Sequence, residues 1–280
     1  LPAFHPCRLT IGNVAYRYSP SNSAQAKPLD FEFHKRIKPG NRAEGKALSK
    51  PGVSIITCTN QPDFLLNILN NYRMQRYRRK ELIIILNKDS LNLQEWRKKA
   101  SILPNVSVYQ VPEQISLGQC LNCGISRAKY PLIAKFDHDD YYSPYYLNEQ
   151  VKALLRTKSP VTGKHACLVY LVASNKLIIR SPQEKNKFVR FVQGGTLLFR
   201  REILKNVRFQ NLSLGEDVKF LRDCAKKGYS IYATTPYNYV YIRRKDKSTH
   251  TWRVSDQRFL TGSQPVAVTK NYLRFALRKH

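Results

Sequence analysis

Short apolar runs separated by helix-length segments, between residues 53 and 136, restrict the fold of this chain more than any other feature. VSIIT (53–57), ELIIIL (81–86) and LIAKF (132–136) are too short for helices. They are also too uniformly apolar for strands with one wet face, so they read as buried strands. VSVYQV (106–111) reads as a further strand. Between them, Pro62-Asp63 opens a segment with Phe64, Leu65, Ile68 and Leu69 on one face. Proline in a first turn, followed by an acid, suits a helix start. Residues 93–102 and 116–128 (SLGQCLNCGISRA) give two more helices. This βαβαβαβ order predicts an α/β fold with a mostly parallel central sheet covered by helices on both faces. No G-x-G-x-x-G follows the first strand, so the dinucleotide fingerprint is absent.

Further along, a helix is expected from 145 to about 157, a hairpin over 166–180, a helix over 215–227 and a strand at 231–233. Residues 1–50 contain Pro20, Pro28, Pro39, Gly40 and Gly45 with no sustained period, and read as an irregular or β-containing N-terminal extension. Residues 236–280 read as a basic C-terminal loop and helix. The first residues, LPAFHPCRLTIGNVAYRYS, have neither a basic start nor a long apolar run, and no stretch of the chain is apolar enough to span a bilayer. The expectation is a cytoplasmic protein without a signal peptide.

Charge narrows the partners. With 48 Lys+Arg against 19 Asp+Glu the formal net charge is +29, which attracts polyanions: nucleic acid, an anionic membrane face or an acidic polymer. No zinc-finger spacing, RNP-type strand or GXXG clamp accompanies it, so specific nucleic-acid binding is not expected. The six cysteines are scattered, and Cys120-Leu-Asn-Cys123 lacks the second pair or histidine of a zinc site. Helix packing explains it better than redox chemistry.

In so basic a chain the acids are informative. Asp137-His138-Asp139-Asp140 follows a buried strand immediately, where open α/β sheets bind ligands. Turn or helix capping accounts for one such aspartate but hardly three. Like charges this close favour a hard divalent cation, Mn²⁺ or Mg²⁺. Glu216-Asp217 opens an apolar-periodic segment, and there capping is a serious rival to a catalytic role.

Together these segments resemble family 2 glycosyltransferases of GT-A fold. The likeness runs through VSIITCTNQPDFL (53–65), ELIIILNKDS (81–90), LGQCLNCGISRAKYPLIAKFDHDDYYSP (117–144), GGTLLFRREIL (194–204) and LGEDVKFLRDCAKKGYSIY (214–232). It implies a catalytic domain over 51–235, with a nucleotide-binding half (51–144) and an acceptor half (145–235). It also implies an inverting, metal-dependent transfer of sugar from a nucleotide-diphosphate donor to a hydroxyl of a glycan, lipid-linked or anionic polymer acceptor. Carried over residue by residue, Thr57, Cys58, Thr59, Asn60, Asn87, Asn122, Asp137 and His138 fall beside the nucleotide. Asp137 and Asp139 form the D-x-D pair, with Asp139 the direct metal ligand and His250 a further one. Gly194, Gly195 and Thr196 line the acceptor side; apart from the resemblance, the basic tail offers Arg243, Arg244, Lys247 and His250 as candidates to close over the diphosphate. Asp217 becomes the catalytic base, with Glu216 as the alternative.

The sequence departs from the family pattern twice. Thr57-Cys58-Thr59-Asn60 lacks the aromatic that flanks the base, and Asn87 stands where an aspartate is usual. An aspartate only accepts hydrogen bonds, whereas an asparagine donates and accepts. UDP remains the first-choice nucleotide, with CDP, GDP and dTDP open. A catalytically degenerate binding or scaffold protein on this fold is the alternative. The charge adds an expectation of peripheral association with the inner face of a membrane.

Overall fold

The computed structural model describes residues 50–246 and 252–279. The expected extension over 1–50 falls almost wholly outside them. The core begins with β1 (Val53–Thr59), a 3₁₀ turn at Pro62–Phe64 and α1 (Leu65–Met74). It continues through β2 (Lys80–Leu86), α2 (Leu93–Ala100), β3 (Val106–Gln110), α3 (Leu117–Ser126) and β4 (Leu132–Lys135). Asn92 and Ser116 cap α2 and α3, their side-chain oxygens accepting from the N–H groups of Glu95 (3.1 Å) and Gln119 (3.3 Å).

After β5 (Tyr141–Tyr142) come α4 (Tyr146–Thr157), β6 (Val161–Gly163), β7 (Cys167–Leu171), β8 (Lys176–Arg180) and β9 (Lys187–Phe188). Gly194–Thr196 forms a 3₁₀ turn before β10 (Leu198–Arg200), and Arg201–Lys205 is a second such turn. The chain then forms α5 (Glu216–Lys226), β11 (Ile231–Ala233), β12 (Tyr239–Arg243), α6 (Asp256–Leu260), β13 (Gln264–Val268) and α7 (Leu273–Ala276).

An eight-stranded sheet has the order β3-β2-β1-β4-β10-β6-β11-β9. Its first four strands are parallel, and β10 runs antiparallel to both β4 and β6. The apolar runs are uninterrupted because both faces are covered. Alternate residues enter different cores. Ile55, Leu82, Ile84, Leu132 and Ala134 pack with α1, α2 and α4. Ile56, Ile83, Ile85 and Ile133 pack with α3 and α5. Cys120 is buried in that second core with Cys123 packed against it, so the C-x-x-C pair is helix packing.

A second sheet, β13-β8-β7-β12-β5, was not anticipated. The expected loop and helix after 236 is corrected here: β12 and β13 pair with the 167–180 hairpin. Their charged and aromatic residues hide the alternation, because the face of β12 that enters the core carries Tyr239, Tyr241 and Arg243.

Candidate active site

The D-x-D segment leaves β4 through a loop held by aromatic and amide side chains. Phe136 stacks flat on Tyr142, with centroids 3.7 Å apart. The buried Tyr142 hydroxyl accepts from the Asp137 N–H at 2.7 Å and donates to the Gly195 carbonyl at 2.6 Å. Burial holds that phenol well above its usual pKa, so the donated proton stays in place. From α1, Asn67 donates to the carbonyls of His138 (2.7 Å) and Asp140 (3.0 Å), and Asn71 donates to the latter at 2.8 Å.

The three acids then separate into three environments. Asp140 is buried; its carboxylate accepts from the Tyr239 hydroxyl (2.6 Å) and the Ile242 N–H (3.0 Å). It ties the loop to the second sheet. Asp137 forms an ion pair with Lys135, and Asp139 forms one with Arg244. Among the described residues, no three or more His, Cys, Asp or Glu side chains gather as a metal cluster. Asp137 and Asp139 nonetheless present hard carboxylate oxygens from two half-buried positions of one loop. That donor set fits a hard cation that completes its shell with phosphate oxygens and water.

Lys135, which the sequence reading passed over, organises the other carboxylates. Strand alternation points it to the same side as Ile133, towards the N-terminus of α5. It is 5% exposed. Burial alone would lower its pKa, but Asp137, Glu216 and Asp217 together outweigh that and hold the ammonium charged. Burial raises Glu216 to about 7, against the pull of Lys135 and with a further push from Asp217. Burial likewise raises Asp217, opposed by Lys135 and by the Val218 N–H that it accepts at 2.8 Å. Neither acid is the N-cap, which is Gly215 with φ 79° and no side-chain bond. Both lie in the first turn of α5, where Asp217 also serves the helix start through the Val218 N–H, while their burial beside Lys135 goes beyond what capping needs. A lone lysine at the end of an apolar strand, two residues before an acid, was the available signal.

The Gly-Gly pair makes room for these carboxylates. A Cβ on Gly194 would collide with Asp217 Oδ2, and one on Gly195 would lie 2.5 Å from Asp137 Oδ2. Asp137 and Asp217 thus meet adjacent residues of one turn, although 80 positions separate them in the chain. Thr196, expected on the acceptor side, is corrected to a structural role. It is fully buried, its hydroxyl donating to Gln193 O (2.7 Å) and accepting from Lys164 N–H (2.8 Å).

On the nucleotide side, Thr57 is buried within β1, and Thr59 braces the exit by accepting from Gln61 N–H at 3.1 Å. Asn60 is exposed, while Cys58, Asn87 and His138 are half-buried. Asn87 N–H donates to Thr59 O, and its side-chain amide donates to Pro112 O, both at 2.8 Å. His138 stacks on Phe64 (4.6 Å), with Nδ1 3.4 Å from Cys58 O, and Arg244 covers the same ring at 5.3 Å. Asn122 is corrected: its amide donates to Phe209 O (2.8 Å) and fixes α3 to the loop that precedes α5.

Arg243 is also corrected. Fully buried, it donates to the carbonyls of Trp252 (3.0 Å) and Val254, and lies 3.5 Å from Asp256. It holds the C-terminal segment and does not reach a diphosphate. Arg244, past the end of β12, reaches Asp139 instead. Lys247 and His250 lie outside the described residues.

A parallel block ending in a D-x-D loop, with an acidic helix start beneath it, is the arrangement of a GT-A fold. The chain belongs to glycosyl transferase family 2, whose model matches residues 54–208. It is 26% identical over 192 residues to poly-beta-1,6-N-acetyl-D-glucosamine synthase of Staphylococcus aureus (strain MSSA476), covering 63% of this chain and 46% of the relative. The same figures hold for the strain MW2 protein. The chain thus spans about half the length of the curated relatives it matches. Among solved structures, S. aureus TarS 1–349 in complex with UDP-GlcNAc superposes with TM-score 0.58 at 18% identity, over 75% of this chain and 64% of that one. The same TarS fragment with UDP gives TM-score 0.53 at 20% identity, over 68% and 60%. These likenesses establish the fold.

Proposed function

We propose that this protein is a metal-dependent inverting glycosyltransferase that moves a sugar from a UDP-sugar to an acceptor hydroxyl in glycan or polysaccharide synthesis. The observation that carries this is the approach of Asp137 and Asp217 to Gly194-Gly195, with the Lys135 cation set among the acids, at the carboxyl end of the parallel strands. UDP-GlcNAc is the first donor to test, because a TarS structure contains it and the curated relatives are named for an N-acetylglucosamine polymer.

Asn87 supports a uracil base. Its amide nitrogen gives one N–H to Pro112 O, which fixes the side chain and leaves the carbonyl oxygen, beside a second N–H, as an acceptor for the uracil N3–H. The substitution for aspartate therefore keeps an acceptor for that N–H and adds a donor. Phe64, close to β1's exit and stacked on His138, stands in for the aromatic missing at 57–60.

Asp217 is the general base. It is half-buried and within reach of solvent, whereas Glu216 is 5% exposed. It takes the acceptor hydroxyl proton as the acceptor oxygen bonds to the anomeric carbon. The bond from that carbon to the β-phosphate oxygen breaks, and its electron pair leaves with UDP. One displacement on the opposite face inverts the configuration. Asp139, with Asp137, would hold Mn²⁺ or Mg²⁺, which when bound neutralises charge on the diphosphate. Arg244, already at Asp139, adds a second positive charge at that place.

A panel of nucleotide sugars with and without Mn²⁺, read by thermal shift and by release of UDP, tests this reading. A rise in melting temperature with UDP-sugars and Mn²⁺ is expected, by linkage to ligand binding. No shift with any nucleotide diphosphate would refute it.

A further inference from the structure

The excess of positive charge has a place in the fold, and it is not the reaction centre. Val53 pairs with Lys80 and Leu132, and Leu82 with Val106, so the four parallel strands begin at one end. Arg200 of antiparallel β10 finishes beside Leu132 at that same end. The segments that enter these strands therefore lie side by side, opposite the end that carries Asn87 and Asp137. Backbone bonds lock them together: Val53 N–H to Arg79 O (2.9 Å), Leu82 N–H to Asn105 O (2.9 Å) and Arg201 N–H to Pro131 O (2.8 Å).

On this frame Arg76, Arg78, Arg79, Lys129 and Arg201 are all exposed. Two acids share this end: Glu81 is buried, accepting from Ser54 at 2.5 Å and from Lys129 N–H at 2.9 Å and pairing with the Lys129 ammonium at 3.6 Å, and Glu202 is exposed beside Arg200 at 3.9 Å, so the cations remain in excess. Ile102, in the loop that enters β3 at this same end, is 75% exposed. An isoleucine so exposed costs hydration free energy that burial elsewhere would recover.

A dissolved polyanion would use the guanidinium groups but leave the isoleucine in water. An anionic bilayer satisfies both, with phosphates meeting the cations and the apolar side chain entering the headgroup–acyl boundary. No helix among the described residues is long and apolar enough to cross a membrane, so such contact would be peripheral. The acceptor is a poor occupant of this face, because Asp137 and Asp217 are at the other end of the strands.

We propose that the strand-entry end of the parallel block docks the protein on an anionic lipid surface, leaving the carboxylate end turned away from it. This goes beyond the transferase reading and does not depend on which donor binds. The test is co-sedimentation with phosphatidylcholine vesicles, with and without phosphatidylglycerol. Binding is expected only with phosphatidylglycerol, and should weaken between about 0.1 M and about 1 M salt as the screening length falls from about 10 Å to about 3 Å. Reversal of two charges, Arg78→Glu with Arg79→Glu, should lower partitioning about 100-fold, and the milder Arg78→Gln with Arg79→Gln about tenfold. Ile102→Ser should lower it several-fold with the charge unchanged. In all three variants UDP-sugar affinity without vesicles should match that of the parent. Loss of docking is thereby separated from failure of the donor reading. Equal binding to both vesicles, or full binding by the charge-reversed protein, would overturn the proposal. So would an unchanged Ile102→Ser protein whose vesicle binding is displaced by soluble polyphosphate, which would assign the face to a polymer.

Discussion

The guanidinium of Arg244 rests on the carboxylate of Asp139, 105 positions earlier in the chain, and over the ring of Phe64 at 5.3 Å. A side chain from beyond β12 thus supplies a cation at the D-x-D carboxylate expected to hold metal. Arg244→Gln should therefore bind Mn²⁺ alone about tenfold more tightly, having lost a competing charge-assisted bond. The same variant should bind UDP-sugar more weakly. Mn²⁺ titration by electron paramagnetic resonance and donor titration by calorimetry read the two effects, and weakened binding of Mn²⁺ alone would contradict the competition.

Its chain neighbour should behave in the opposite way. Arg243→Ala leaves the Trp252 and Val254 carbonyls and Asp256 without their buried partner. A loss of about 3 kcal/mol in denaturant unfolding is expected, whereas Arg244→Ala should change stability by less than about 1 kcal/mol.

Asp217→Asn should keep UDP-sugar affinity within a few-fold and lower kcat by about 10²–10⁴, the span usual for a positioned general base. Equal loss of binding and turnover would remove Asp217 from that role. Glu216→Gln should reduce kcat less, since the buried Glu216 acts through the shared Lys135.

Glu216 also makes a pH prediction. Its pKa is raised from 4.5 to about 7 in the folded protein, so between those values the native state binds more protons than the unfolded chain. Stability attributable to this group is therefore full below about pH 4.5 and declines as pH rises through about 7. Glu216→Gln should be more stable than the parent at pH 8, by up to about 2 kcal/mol, with the difference closing towards pH 5. Melting temperatures at the two pH values check the sign.

Gly195→Ala should lower kcat at least about 100-fold while the protein still folds, because the added methyl group meets Asp137 Oδ2 at 2.5 Å. The cost in stability should be about 1–3 kcal/mol, as for other overpacked sites. Circular dichroism separates a displaced carboxylate from a lost fold.

The parallel block was legible because VSIIT, ELIIIL and LIAKF announce strands covered on both faces, and the structure gives them within two residues of the expected ends. The second sheet was not. Its strand β12 carries tyrosines and an arginine inward, so no alternation of apolar and polar residues marks it. The site divides in the same way. Asp137, Asp139, Glu216 and Asp217 stood out by their scarcity, but Lys135, Phe64, Asn67 and Asn71 looked like ordinary members of a strand or helix.

Local sequence alone determined the strand–helix order, the family and the acids that matter, because short-range periodicity and residue chemistry are written in consecutive positions. Tertiary structure decided what each acid does. Three adjacent aspartates became a partner of Lys135, a partner of Arg244 and a buried tie to Tyr239 and Ile242. Adjacent arginines became a buried brace and a cation at the site. The reason is physical: backbone geometry sends neighbouring side chains in different directions, and the charges that set each one's role arrive from strands and helices far away in the chain.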